Sequence, residues 1–266
     1  MAERQNIFFY YHPDEEMDGK VKALKKISSE NGLNVVENSS DASIIVSIGG
    51  DGTFLQAVRK TGFRQDCIYT GIMREGQSGL YCDFNIDNFD NMIHSVLHED
   101  LEVRRFPTIK VQINGETPFY CLNEVSIRST IVKTIVINVC VDGFHFETFR
   151  GDGMIVSTPT GSTGYSKSAR GAVIDPLIHG FQVSEVASLN NNQYRTLGSS
   201  FLLNKDRKLE LEILQDGNDH PIISLDNEAS PIKRIQNIEV TMDETIIKTV
   251  KLKNNSYWER VKRTFL

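Results

Sequence analysis

Cysteine is scarce in this chain. The four present (Cys67, Cys82, Cys121 and Cys140) form no closely spaced pairs and sit in or beside strand-like runs. That spacing argues against a zinc site and leaves free, buried thiols in a reducing cytoplasm as the expected state. The six histidines carry no metal-ligand spacing either, and His94 with His98 merely shares a helix face. No apolar run nears the roughly 20 residues needed to span a bilayer. Positive charge is in deficit: the net charge is −6, which disfavours a broad electrostatic grip on nucleic acid or an anionic membrane. An anionic ligand must then be met by local donors. The amino terminus (Met1 to Asn6) has no basic start followed by an apolar core, so no secretory signal is expected and a cytoplasmic protein is. Internal repeats and low-complexity segments are absent.

What is present reads as two halves, and 266 residues suffice for two modest domains. Ile7 to Tyr11 is a short apolar strand. Met17, Val21, Leu24 and Ile27 then recur at helical spacing, with Lys20, Lys22, Lys25 and Lys26 as a solvated face and Asn31-Gly32 as the stop. Leu33 to Val36, Ile44 to Ile48 and Cys67 to Ile72 are further strands, and Phe89, Ile93, Val96 and Leu97 mark another helix. Strands alternating with helices imply a parallel sheet with helical layers. Near Leu101 the pattern changes to short alternating strands: Thr108 to Ile113, Pro118 to Leu122, Ile135 to Val141, Phe144 to Phe149, Leu209 to Leu214, Ile222 to Leu225, Ile235 to Met242 and Thr245 to Leu252. Asn114-Gly115 and Asp142-Gly143 read as two-residue hairpin turns. The expected organisation is an α/β domain over residues 1–100 and a mostly antiparallel, β-rich domain over 101–249. The tail, about 250–266, is expected to pack on the first domain.

The first half is organised around Ala42 to Leu55. The β-branched run Ile44 to Ile48 reads as a strand buried on both faces, and it ends in Gly49-Gly50-Asp51-Gly52-Thr53. Phe54, Leu55 and Val58, mixed with Gln56 and Arg59, then read as the first turns of a helix. A strand, glycine turn and helix start together present backbone N–H groups at the positive end of a helix dipole. Glycines let a polyphosphate approach the backbone. Asp51 is the odd residue: a carboxylate repels phosphate, so it is suited to hold Mg²⁺ or to take a proton from an attacking hydroxyl. The plain alternative is an aspartate that only forms the turn.

A second motif runs from Glu147 to Gly171. Arg150 and Asp152 lie in a glycine turn, Met154 to Ser157 is a short strand, and Thr158 to Tyr165 is a hydroxyl-rich glycine loop. Such a loop offers N–H groups, hydroxyls and an aromatic ring without positive charge, which suits ribose hydroxyls and an aromatic base. A solvated turn is the alternative.

Gly-Gly-Asp-Gly-Thr after a buried strand resembles a signature shared by NAD kinases, lipid kinases and 6-phosphofructokinases. Asn123-Glu124, Gly151-Asp152-Gly153 and Thr158-Pro159-Thr160-Gly161-Ser162-Thr163-Gly164-Tyr165 follow it in the order found in the NAD kinase family, bacterial type. The resemblance spans Ile44 to about Gly171, with weaker likeness at Ala187 to Asn190 and Ser224 to Asp226. Lipid kinases lack the Thr-rich loop, and the Thr-Ile-Asp-Asn-Asp segment of phosphofructokinases is missing here.

The resemblance implies a two-domain α/β plus β-rich (β-sandwich-like) fold with NAD bound in the crevice between the domains. The implied reaction transfers phosphate from ATP, or in some members polyphosphate, with a divalent metal such as Mg²⁺, to the 2′-hydroxyl of the adenosine ribose. Homodimers or homotetramers are usual in the family. On this reading Asp51 accepts the hydroxyl proton or orients it through a metal, while Gly50, Gly52 and Thr53 contact phosphates. Asn123 reaches the adenine side and Glu124 the ribose hydroxyls, unless they form only a polar strand edge. Asp152 meets the nicotinamide half and Arg150 a phosphate of its own or a neighbouring subunit, unless the two simply pair. Thr160, Thr163, Gly164, Tyr165 and Ser168 hold the adenosine, with Tyr165 as a core aromatic the alternative, and Ala187 and Asn190 are further contacts. The chain departs from the family at Gly76-Gln77-Ser78-Gly79-Leu80, where an aromatic is expected near the adenine and Tyr81 is a substitute. It also has Gly164 where alanine is common, Arg170 where glycine is common, and Asn227 where some relatives carry histidine. Two competing readings are a lipid or other small-alcohol kinase sharing the glycine turn, and a non-catalytic NAD(P) sensor.

Overall fold

The computed structural model describes residues 6–74, 79–89, 92–94, 101–214, 221–226, 228–230, 232, 234–252 and 255–266. The expectations placed on Gly76 to Ser78, Val96, Leu97, His98 and Asn227 lie outside these. The chain divides into two compact units, Met1–Phe106 with Thr245–Leu266, and Pro107–Glu244.

In the first unit, strands β1 (Asn6–Tyr11), β2 (Asn34–Val35), β3 (Ile44–Gly49), β4 (Ile68–Met73) and β5 (Cys82–Asn85) pair in parallel in the order β2-β1-β3-β4-β5. β3 and β4 are buried at every position, as an apolar run without polar alternation requires. Each Ile or Val so buried contributes roughly 1.5–3 kcal/mol, and Ile45→Ala is expected to cost about 2–5 kcal/mol through the cavity it leaves. Helix α1 (Glu15–Glu30) starts where the Asp14 carboxylate accepts from Met17 N–H at 2.7 Å, and Gly32 follows its end at φ 81°. Its lysines lie on the solvent side, with Lys20 paired to Glu16, Lys25 to Glu37 and Lys26 to Glu30. Strand order reverses between β1 and β3, so the carboxyl ends of these strands flank the switch point where open α/β sheets bind ligands. Asp51 lies at that end.

The second unit has two antiparallel sheets. One runs β13 (Phe201–Asn204), β12 (Gly180–Val186), β11 (Gly153–Ser157), β8 (Glu124–Arg128), β15 (Ile222–Leu225) and β16 (Glu228–Ala229). The other contains β10 (Phe144–Gly151), β9 (Ile135–Val141), β14 (Leu209–Leu214) and the start of β17 (Asn237–Leu252), together with β6 (Leu101–Ile113) and β7 (Phe119–Cys121). Val125, Met154 and Phe181 from the first sheet share one buried core with Ile137, Val139 and Leu211 from the second, the packing of a β-sandwich.

Asp142 and Gly143, at φ 51° and 77°, form the expected two-residue turn, with Phe144 paired to Val141. Asn114 and Gly115, at φ 51° and 73°, form another, closed by Glu116 N–H donating to the Ile113 carbonyl at 3.0 Å. The ladder between β6 and β7 nevertheless ends at Val111 with Phe119, and the turn is tied to a remote segment through Asn114. Its Oδ1 accepts from Gln236 and Asn237 N–H at 2.9 and 3.1 Å, and its amide donates to the Arg234 carbonyl. The two strands read from Ile235 to Met242 and from Thr245 to Leu252 are one, β17: Asp243 and Glu244 supply no glycine or positive φ to break it.

Candidate active site

Two polar constellations carry the sequence motifs, one in each unit. The first is the turn after β3. Gly50 caps helix α2 (Asp51–Lys60), and Phe54 N–H is the first amide to bond to the turn, donating to the Gly50 carbonyl at 3.0 Å. The amides of Asp51, Gly52 and Thr53 therefore have no partner within the helix. Space is open beside Gly52, where an added Cβ meets nothing within 4 Å. At Gly49 a Cβ would lie 2.2 Å from Thr53 Oγ1, so the threonine hydroxyl needs a glycine beneath it.

Both Asp51 oxygens are engaged. Oδ2 accepts from Leu80 N–H at 2.8 Å and Oδ1 from Tyr81 N–H at 2.9 Å. Gly79 allows this approach, since a Cβ there would come 2.5 Å from Oδ1. Burial raises the carboxyl above the ordinary aspartate value, opposed by the two amides, the Arg260 charge and a hydrogen bond from Cys82. Three donors engage the roughly four lone-pair sites of a carboxylate, so about one remains for a further donor. Tyr81 does not serve as the substitute aromatic for a ligand: it is buried, stacked on Phe54 with ring centroids 4.9 Å apart and set edge-on to Phe106.

The second constellation gathers Asn123, Glu124, Thr160, Thr163, Gly164 and Tyr165. Asp226, reached in the sequence only through the weak Ser224-Leu225-Asp226 likeness, organises it. Its carboxylate accepts from the backbone N–H of Leu122, Asn123 and Glu124 at 2.8, 2.7 and 3.2 Å. Asp226 holds φ at 47° to do so. Glu124 is buried, and its Oε2 has no hydrogen-bond partner among the described residues. Burial, then the Asp226 charge, push its carboxyl up to about 8, against one hydrogen bond from Tyr165 N–H.

The Thr-rich loop lies directly on the Asn123-Glu124 turn. A Cβ at Gly161 would meet the Asn123 carbonyl at 2.1 Å, and one at Gly164 would meet Glu124 Oε2 at 2.8 Å. The hydroxyls of this loop, read as ligand donors, are turned inward. Thr158 donates to the Leu122 carbonyl and shares a hydrogen with Thr160, and Thr163 donates to the Thr160 carbonyl. Tyr165 is half-buried, with the Arg128 guanidinium 5.5 Å from its ring centroid.

Ser168, Ala187 and Asn190 line one cleft of about 610 Å³ in this unit, with Glu185 and Arg170. The Asn190 side chain is spent on its own loop, donating to Thr196 Oγ1 and accepting from Thr196 N–H. Arg150 joins the same segment: its guanidinium stacks 4.5 Å from the Tyr194 ring centroid and its carbonyl accepts from Leu189 N–H. Asp152 is exposed and lines a different cleft with Arg128 and Lys133. Arg170 and Ala187 adopt φ of 62° and 47°, so backbone strain clusters at this site.

The ATP-NAD kinase C-terminal domain family model matches residues 122–252. A NAD kinase 2 of Bacillus subtilis (strain 168) is 57% identical over 264 residues, 99% of each chain. This chain belongs to the NAD kinase family. A NAD kinase 2 of Bacillus licheniformis is 59% identical over the whole of both chains. Among solved structures, an Archaeoglobus fulgidus NAD kinase in complex with ATP superposes with a TM-score of 0.75 at 25% identity, covering 97% of this chain and 98% of that one. Yeast NADH kinase complexed with NADH gives 0.80 at 17% identity, covering 98% and 87%, a likeness of fold alone.

Proposed function

We propose that this family member is an ATP-dependent NAD kinase that phosphorylates the 2′-hydroxyl of the adenosine ribose to give NADP. The single observation that carries the reading is Asp51, an acceptor with about one lone-pair site left, beside three amides free of intrahelical bonds. Phosphoryl transfer asks mainly for positioning and charge neutralisation, and a helix start supplies both for a polyphosphate. The open side of Gly52 fits the close approach of phosphate oxygens.

Asp51 takes the hydroxyl proton, and the burial that raises its pKa makes its carboxylate a stronger base than an exposed one. Gly50, Gly52 and Thr53 hold the phosphates. Asn123 and Glu124 bind the adenosine half, supported by the loop from Thr160 to Tyr165, while Ser168, Ala187, Asn190, Arg150 and Asp152 are further dinucleotide contacts. A divalent cation such as Mg²⁺ accompanies the phosphate donor and neutralises its charge; polyphosphate is a second candidate donor. The protein works in the cytoplasm as a homodimer or homotetramer.

Incubation with NAD, ATP and Mg²⁺ followed by an assay for NADP tests the reading. Tight NAD binding without turnover would favour a sensor, and turnover on a lipid alone would favour a lipid kinase.

A further inference from the structure

The carboxyl-terminal helix, Tyr257–Phe265, belongs to the first unit and begins with a capping box: Ser256 and Glu259 exchange side-chain and backbone hydrogen bonds. Its Arg260 side chain is fully buried. One guanidinium nitrogen donates to the Leu80 carbonyl and lies 3.3 Å from Asp83 Oδ1. Asp83 is held in turn by Arg104 at 2.9 Å and by the Asn255 amide at 2.9 Å. Arg260 Nε and its other terminal nitrogen are buried without a hydrogen-bond partner among the described residues. A buried cation left partly unsatisfied is costly, and an apolar side chain of similar size is often as stable or more so. Stability is therefore a poor reason for an arginine here.

Its contacts supply a better one. Arg260 grips the carbonyl side of Leu80, and the amides of Leu80 and Tyr81 are the groups that hold the Asp51 carboxylate. We infer that Arg260 is a positioning residue for Asp51. It fixes residues 80 and 81 so that their N–H groups aim the carboxylate, without itself touching substrate. This rests on the phosphotransfer reading above. A helix more than 200 positions away in the chain thus sets the orientation of the residue that takes the proton.

Arg260→Met and Arg260→Lys separate this from a merely structural role. Wild-type enzyme is first shown to make NADP; if it does not, the functional reading fails, and the exchange measurement below still tests the contact. Misplacing a reacting group by about 1 Å costs on the order of 10²-fold in rate. Arg260→Met is expected to lose kcat on that scale with KM for NAD and ATP unchanged. Arg260→Lys, which keeps a charged donor on a similar stem, recovers part of the loss. Amide hydrogen exchange at Leu80 and Tyr81 becomes faster in Arg260→Met. A folded Arg260→Met enzyme with wild-type kcat, or exchange at Leu80 and Tyr81 unchanged, overturns the inference. So does an equal loss in both variants with KM rising in parallel. Should Arg260→Met fail to fold, Asp83→Asn loosens the same anchor, and an unchanged kcat there overturns it equally.

Discussion

Asp51 and Asp226 occupy equivalent local situations in different units, each a carboxylate gripped by backbone N–H groups at a turn after a strand. The outcomes differ. Asp226 is buried, takes three consecutive amides (Leu122, Asn123, Glu124) and sits at positive φ, so its donors all come from the one turn that it organises. Asp51 takes two amides from a remote segment, leads a helix whose first amides are free of intrahelical bonds, and keeps some capacity in reserve. One carboxylate builds a site, and the other is built into one. A hydrogen-bond count alone does not tell them apart; what matters is which donors are spent and which remain.

Substitutions sharpen the contrast. The largest effect is expected at Asp51. Asp51→Asn keeps the shape but has one oxygen where the carboxylate uses two, so one of the two backbone contacts is lost along with the proton acceptor. The kcat for NADP formation falls by about 10²–10⁴-fold, while stability falls by only about 1–3 kcal/mol. Near-normal turnover would remove the role. Asp226→Ala reverses the pattern. Three amides, two of them buried, lose a charged acceptor, and stability falls by about 3 kcal/mol or more, read as a lower denaturant midpoint at constant m-value.

Glu124 lies between these cases. Its folded pKa, about 8, stands above its ordinary 4.5, so the folded chain holds a proton that the unfolded chain has lost. This contribution is complete below the lower value and is lost as pH rises through the upper one. Wild-type stability should fall from about pH 5 to about pH 8 more steeply than that of Glu124→Gln. Parallel profiles would contradict the assignment. The smallest effect belongs to Arg170→Gly, which relieves a left-handed conformation and is expected to stabilise by about 1 kcal/mol in the same denaturant assay.

The same contrast explains what was legible in the sequence. The run from Ile44 to Ile48 is apolar without alternation, and it became a strand buried at every position. Asp142-Gly143 gave its turn because φ > 0 at two adjacent residues needs just such a pair. Local chemistry fixed both. Asn114-Gly115 gave its turn for the same reason, but local chemistry did not say that the asparagine would also tie that turn to residues 234–237, more than a hundred positions on. The Thr-rich loop was visible as a loop, but its composition did not say that the hydroxyls of Thr158, Thr160 and Thr163 would be spent on one another and on the Leu122 and Thr160 carbonyls. Asp226 and Arg260 are the residues most readily missed. One is a single aspartate after a strand and the other an arginine among exposed charges, and each matters through partners remote in sequence.

A crystal structure of the chain with NAD bound shows whether Asp51 meets the ribose. The 2′-hydroxyl oxygen of the adenosine ribose is expected about 3 Å from an Asp51 carboxylate oxygen, or joined to it through a single water or ion. A ribose placed away from Asp51 with nothing bridging the gap, or a different hydroxyl facing it, would contradict the account.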